Sequence, residues 1–295
     1  MILNTLAVSL IALGLMAGTA SAQSSDTLKK IKETGVISLG HRESSIPFSY
    51  YDDKQNVIGY SQDIAMKIVE AVKVKLAMPD LKVKLTPVTS QNRIPLVQNG
   101  TIDLECGSTT HDAERAKQVG FTDTIFVIGT RLMTKKESGI KDFADLKGKT
   151  VVTTAGTTSE RILRKLNQDQ NLGMSIINSN SESFLTLSTG RAVAYMMDDA
   201  LLAGERAKSN DPADFVIVGT PQSKESYGCM LRKDDPEFKK VADDAIAKVQ
   251  TSGEADAIYK KWLLTPIPPK GLNLNFPESD DMKALFKAPN DKPLS

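Results

Sequence analysis

Residues 90–108 read SQNRIPLVQNGTIDLECGS, a helical pattern running directly into a strand pattern. Ser90 stands where an N-cap opens a helix, Gly100 closes it, and TIDLECGS follows as a β-strand. Toward the N-terminus, Val83, Leu85 and the Pro87-Val88 pair mark another strand just before that helix. Earlier still, Ser61 starts a helix over residues 61–77, where Ile64, Ala65, Ile68, Val69 and Val72 recur at helical spacing. VISLG (36–40) is the strand before it, closed by the polar loop HRESSIPFSYYDD (41–53), and Ser25 or Asp26 caps a short helix ending at Gly35. The order strand, helix, strand, helix, strand is that of a doubly wound α/β unit.

The same order returns from about residue 150. TVVTTAG (150–156) is a strand, SERILRKLNQ (159–168) a helix, SIIN (175–178) a strand, SESFLTLSTG (181–190) a helix, and RAVAYMMDD (191–199) a strand. Two α/β units therefore stand in tandem, with extended β-branched stretches at 121–136 and 215–233. Those stretches predict two crossovers between lobes rather than one flexible tether. The helical material after residue 236 must pack on a lobe, and the first is the obvious host. The division expected is 23–126 with 227–295 for lobe 1, and 127–226 for lobe 2.

Composition excludes several function classes. Lys and Arg number 37 against 36 Asp and Glu, a formal net charge of +1, so no nucleic-acid partner is expected. Aromatics at 5% argue against a large stacking surface for bases or sugars. Two Cys and two His cannot build a Cys-rich zinc module, and no metal or cofactor is expected. Residues 1–22 carry no charged side chain and close on Ala20-Ser21-Ala22, the pattern of a secretory signal peptide cut after Ala22. The apolar span is short for a membrane anchor. Export places Cys106 and Cys229 in an oxidising compartment, where an even count favours a disulfide; two buried thiols are the alternative.

The catalytic inventory is poor. There is no GxSxG elbow, HExxH, P-loop or GxGxxG, and His41 and His111 are the only histidines. Polar residues instead gather at the C-terminal ends of strands, where open α/β sheets bind ligands. In the first lobe these are Arg42, Ser90 and Arg93, then Ser108, Thr109 and Thr110, with Arg115 just beyond. In the second lobe they are Thr157 and Thr158, at a turn shaped like an anion cradle, then Asp198 and Asp199. Each has a plain alternative. Arg42 or Arg93 alone is most often a solvated residue, Ser90 only an N-cap, and Asp199 a cap of the next helix. Together, three arginines, several hydroxyls and a carboxylate suit a small zwitterion carrying an extra negative charge.

The blocks GHRESSIPFSYYD, GYSQDIA, TSQNRIPLVQNGTIDLECGSTT, AERAKQVGFTDTIFV, DLKGKTVVTTAGTTSE, GRAVAYMMDD and YGCMLRKDDPEFK, in that order, resemble the periplasmic amino-acid-binding proteins of ABC importers. Among these the chain is most similar to the glutamate/aspartate binders, over essentially its whole mature length. The resemblance implies the type II periplasmic binding fold, a "Venus flytrap" of two doubly wound α/β lobes, two crossover strands and a ligand cleft. It implies that Arg115 grips the α-carboxylate, helped by Thr110 and the Thr157-Thr158 turn. Asp198 would hold the α-ammonium, with Ser108 and Thr110, while Arg42, Ser90 and Arg93 would hold the side-chain carboxylate. Relatives place a His in the second lobe near that end; here NSNSESF (178–184) is shorter and offers Asn180 or Ser181, so glutamate and aspartate both stay open. The implied partners are L-glutamate or L-aspartate and an inner-membrane ABC permease, with the protein a monomer. The rival reading is an exported enzyme on the same fold, resembling cyclohexadienyl dehydratase. It would need Glu43 or Glu105 as an acid or base, and both read more simply as loop and strand surface residues.

Overall fold

The computed structural model describes residues 26–271 and 273–294. The predicted signal peptide and its cleavage site lie outside the described residues.

The first lobe opens with α1 (Thr27–Thr34), capped by the Asp26 side chain, and β1 (Val36–His41). A small three-stranded sheet follows, β2 (Ser44–Ser45), β3 (Ser49–Tyr51) and β4 (Val57–Ile58). Then come α2 (Tyr60–Leu76), β5 (Lys82–Pro87), α3 (Arg93–Gln98), β6 (Leu104–Glu105), α4 (Ala113–Ala116) and β7 (Gly120–Ile128). After Gly129 the chain enters the second lobe as β8 (Thr130–Lys135), β9 (Thr150–Thr154), α5 (Thr158–Gln170) and β10 (Gly173–Ile177). It continues as α6 (Asn180–Ser188), β11 (Ala194–Asp198), α7 (Asp199–Lys208) and β12 (Phe215–Val218). The return passage becomes β13 (Glu225–Leu231), followed by α8 (Pro236–Thr251), α9 (Glu254–Tyr259) and α10 (Asp280–Lys287).

The two main sheets share one plan. The first has the order β5-β1-β6-β13-β7 and the second β10-β9-β11-β8-β12. In each, three strands run parallel, the fourth (β13 or β8) runs antiparallel to them, and the outermost (β7 or β12) pairs antiparallel with that fourth strand and so runs with the three. Parallel strands between helices are buried on both faces, which is why VISLG and AYMMD read as nearly continuous buried runs. Ile37, Leu39, Ile64, Ile68, Phe126, Phe238 and Ile246 fill the first lobe, and Leu132, Val151, Leu163 and Met196 a cluster in the second. Each such side chain contributes roughly 1.5–3 kcal/mol on burial. As expected, α8 packs on the first lobe, against α2 and β7.

Cys106, just after β6, and Cys229, in β13, are joined by a disulfide across a sequence separation of 123 residues. It ties the first α/β unit to the returning strand. Closing a loop of that order is worth up to about 4.7 kcal/mol in the chain-entropy picture.

The final segment guards an open edge. β7 is the outermost strand of its sheet, so its outer N–H groups need partners. Thr124 N–H donates to the Asn290 carbonyl at 2.8 Å and Val127 N–H to Met282 Sδ at 3.1 Å, while Met282, Leu285 and Phe286 are buried beneath.

Candidate functional site

Three strand ends of the first sheet bring three arginines together. Arg42 follows β1, Arg93 is the first residue of α3, and Arg115 lies in α4, the turn that Asp112 caps through its bond to Arg115 N–H. Their exposures are 4%, 1% and 5%, which overturns the solvated reading of Arg42 and Arg93. Arg93 donates to the Ser108 carbonyl at 3.0 Å and to the Thr109 hydroxyl. Arg115 donates to the Thr110 carbonyl at 2.9 Å. Burial pushes all three guanidiniums below their ordinary range, Arg93 and Arg115 to about 10, with neighbouring guanidiniums adding to the shift.

Ser90 is buried but is not the cap of α3. The helix starts three residues later, after Asn92, and the turn before it is held by Thr89 and Asn92. Thr89 N–H donates to Asn92 Oδ1 at 2.8 Å, and Asn92 N–H to Thr89 Oγ1 at 3.2 Å. The Ser90 hydroxyl is therefore not spent on a helix end.

Glu105 corrects another expectation. It is fully buried rather than a surface residue, because it sits in the central strand of the sheet. Its Oε2 accepts from Thr109 at 2.7 Å and its charge supports both Arg42 and Arg93. Glu43 is exposed, as read.

The second lobe supplies the opposite wall. Thr157 caps α5, accepting from Glu160 N–H at 3.1 Å, and Thr158 donates to Glu225 at 2.8 Å. Asp198 ends β11 at the N-cap of α7 yet makes no cap bond with its side chain. Instead it accepts from Thr130 at 3.1 Å and from the Tyr227 hydroxyl, while Asp199 bonds Ala200 N–H in the first turn of the helix. Asn180 opens α6 and is buried; its Oδ1 accepts from Thr154 at 2.9 Å and Tyr195 at 3.3 Å, and its Nδ2 donates to Ser45 of the first lobe at 3.4 Å. Ser108 also reaches Ser45, at 3.4 Å. Ser181 faces elsewhere, donating to Glu205 at 3.3 Å.

The lobes meet, so this is the closed form. Arg115 donates across the cleft to the Gly156 carbonyl at 3.2 Å, and Arg161 pairs with Asp112. Gly156, at φ +74°, lies so near Gln91 that a Cβ would sit 2.9 Å from that backbone nitrogen. On α7, a Cβ at Gly204 would stand 2.2 Å from the Ile46 carbonyl oxygen of the first lobe. Neither partner is a side chain that can turn aside. Gly204→Ala should therefore obstruct closure and weaken ligand binding about 5- to 150-fold, from an overpacking cost of about 1–3 kcal/mol. Calorimetric titration, with the unfolding midpoint of the free protein as control, measures this. Unchanged affinity would mean that α7 and Ile46 stay apart in the bound form.

Among the described residues neither Arg42 nor Arg93 has a carboxylate at ion-pair distance, and no group of His, Cys, Asp or Glu could hold a metal ion. One wall is thus rich in buried cationic donors and the other carries a buried carboxylate. Burial, with the charge of Glu225 beside it, raises Asp198 to about 7. Such a cleft suits a ligand with carboxylates at two places and an ammonium at a third.

The model of the bacterial extracellular solute-binding proteins, family 3, matches residues 37–265. The chain belongs to that family. It is 63% identical over 300 residues to the glutamate/aspartate import solute-binding protein of Salmonella typhimurium, covering 99% of each chain. It is 58% identical over 292 residues to the L-glutamate/L-aspartate-binding protein of Pseudomonas aeruginosa, covering 98% of this chain and 97% of that one. Among solved structures, a P235GK mutant of ArgBP from T. maritima superposes with a TM-score of 0.71 at 27% identity, covering 80% of this chain and 98% of that one. These relatives are binding proteins, and this family-3 chain is likewise a binder rather than an enzyme, which removes the dehydratase reading.

Proposed function

We propose that the protein captures L-glutamate or L-aspartate between its lobes and delivers it to an ABC permease in the inner membrane. The observation that carries this reading is the cluster of three buried guanidiniums, two of them with no carboxylate at ion-pair distance among the described residues and only the charge of Glu105 near them. A buried cation left unpaired is costly, and an α-carboxylate plus a side-chain carboxylate would relieve it. In this reading Arg115 and the Thr157-Thr158 turn take the α-carboxylate, with Thr110 beside them. Asp198 takes the ammonium, with Ser108, and Arg42, Ser90 and Arg93 take the side-chain carboxylate. The close relatives named for glutamate and aspartate support the same ligands.

Capture proceeds by closure. Ligand lands on the arginine face of the first lobe, and the second lobe folds over it, bringing Asp198 and the Thr157 turn. The closed pair of lobes is the form presented to the permease. The protein works as a monomer in the periplasm after cleavage following Ala22. Calorimetric titration of the mature protein against all twenty amino acids tests the reading. Tight binding of glutamate or aspartate is expected, and a protein silent to both would overturn it.

A further inference from the structure

Glu225 opens β13, where the second crossover re-enters the first lobe, and it is fully buried. Its carboxylate gathers four hydroxyls: Thr110 at 2.5 Å, Ser223 at 2.6 Å, Thr158 at 2.8 Å and Thr130 at 3.2 Å. Thr110 belongs to the first lobe; Thr130 and Thr158 belong to the second. Asp198 accepts from the same Thr130 hydroxyl, at 3.1 Å. One hydroxyl carries one proton, so Thr130 can serve only one of the two carboxylates at a time. Among the described residues neither carboxylate has a cation at ion-pair distance. Two buried carboxylates bridged by a single hydroxyl resist being ionised together.

We propose that Glu225 is a positioning residue for capture: it ties hydroxyls of both lobes together in the closed form, and its charge keeps a proton on Asp198 until the ligand's ammonium displaces it. This rests on the amino-acid reading above, since it needs an ammonium at Asp198. The groups facing Asp198 agree with it. Tyr227 and Glu225 approach from β13, Thr130 from β8, Ser159 from α5 and Asp199 from α7, while the Arg93 guanidinium stays beyond ion-pair distance. None of the near groups is a cation.

The sign follows from the ligand's charge. In the closed arrangement without ligand, burial and then the charge of Glu225 raise Asp198 to about 7. An ammonium beside it favours the ionised form, so binding expels the proton and tightens as pH rises from 6 to 8. Glutamate titrated at pH 7 into buffers of different ionisation enthalpy should release a measurable fraction of a proton per ligand bound. Glu225→Gln keeps the size of the side chain, removes its charge and replaces one acceptor oxygen, which takes two of the four hydroxyls, by an NH2 donor. It should lower the release at pH 7, burial alone still acting on Asp198, and at pH 8 weaken binding at least about threefold through the looser clamp. Zero proton exchange in the wild type overturns the proposal without recourse to any variant, as does unchanged release or unchanged pH 8 affinity in Glu225→Gln. Failure of glutamate to bind at all would overturn both this proposal and the amino-acid reading.

Discussion

Arg115→Ala should leave a folded protein that binds no amino acid measurably. The guanidinium is 5% exposed and already placed by two carbonyls, Thr110 from its own lobe and Gly156 from the other. That leaves its remaining N–H donors to face a ligand carboxylate in a closed, dry cleft. Removing one member of a buried charge pair costs roughly 3–5 kcal/mol, or on the order of a hundred- to several-thousand-fold in affinity. Because every amino acid carries the α-carboxylate, the loss should not depend on the side chain. Asp112, whose Oδ2 lies 3.8 Å from Arg115 Nε, is not left unpaired in the variant, because Arg161 pairs with it from across the cleft. Calorimetry on the variant, after circular dichroism establishes that it is folded, measures the effect. Affinity within about tenfold of wild type would remove Arg115 from the site.

The lobes were legible in the chain because parallel strands covered on both faces leave nearly continuous runs of apolar or β-branched residues, as in VISLG and TVVTT, with helical spacing between them. Charges inside those runs carried information that propensity does not weigh. Leu104 and Cys106, next to Glu105 in the chain, point to the opposite face; its burial follows from its place in a central strand covered on both faces. Helix starts were read a little wrongly. Ser61 and Ser90 look like caps, yet Gly59 and Asn92 hold the N-cap positions. The TIDLECGS strand shrinks to Leu104–Glu105, because beyond Glu105 the chain turns into the cleft. Glu225 was invisible for a different reason. Its bonds to Thr110 and Thr158 span 115 and 67 residues, and nothing local distinguishes it from any glutamate entering a strand. Local pattern places residues at strand ends; which of them meet across the cleft is decided by closure.

Closure also determines the choice between acids and amides. Glutamate or aspartate should bind at least about a hundredfold more tightly than glutamine or asparagine, from two or more unsatisfied groups at roughly 1–3 kcal/mol each. The donors on the arginine wall have few acceptors of their own. Among the described residues, Arg42 is buried with no side-chain hydrogen bond, and Arg93 Nε is buried without a partner. Asn180 adds to the same bias. Its Oδ1 is engaged by Thr154 and Tyr195, so the face it turns across the cleft toward Ser45 is its N–H₂. A side-chain carboxylate offers acceptors to all of these. A side-chain amide is nearly the same shape but brings two N–H donors, and donors facing buried cations leave both unsatisfied. Chain length is a separate matter, because these donors constrain the sign of the side chain more tightly than its reach. Competition of unlabelled amino acids against bound radiolabelled glutamate measures the preference. Displacement by glutamine as effective as by glutamate would show that Arg42 and Arg93 serve something other than a side-chain carboxylate.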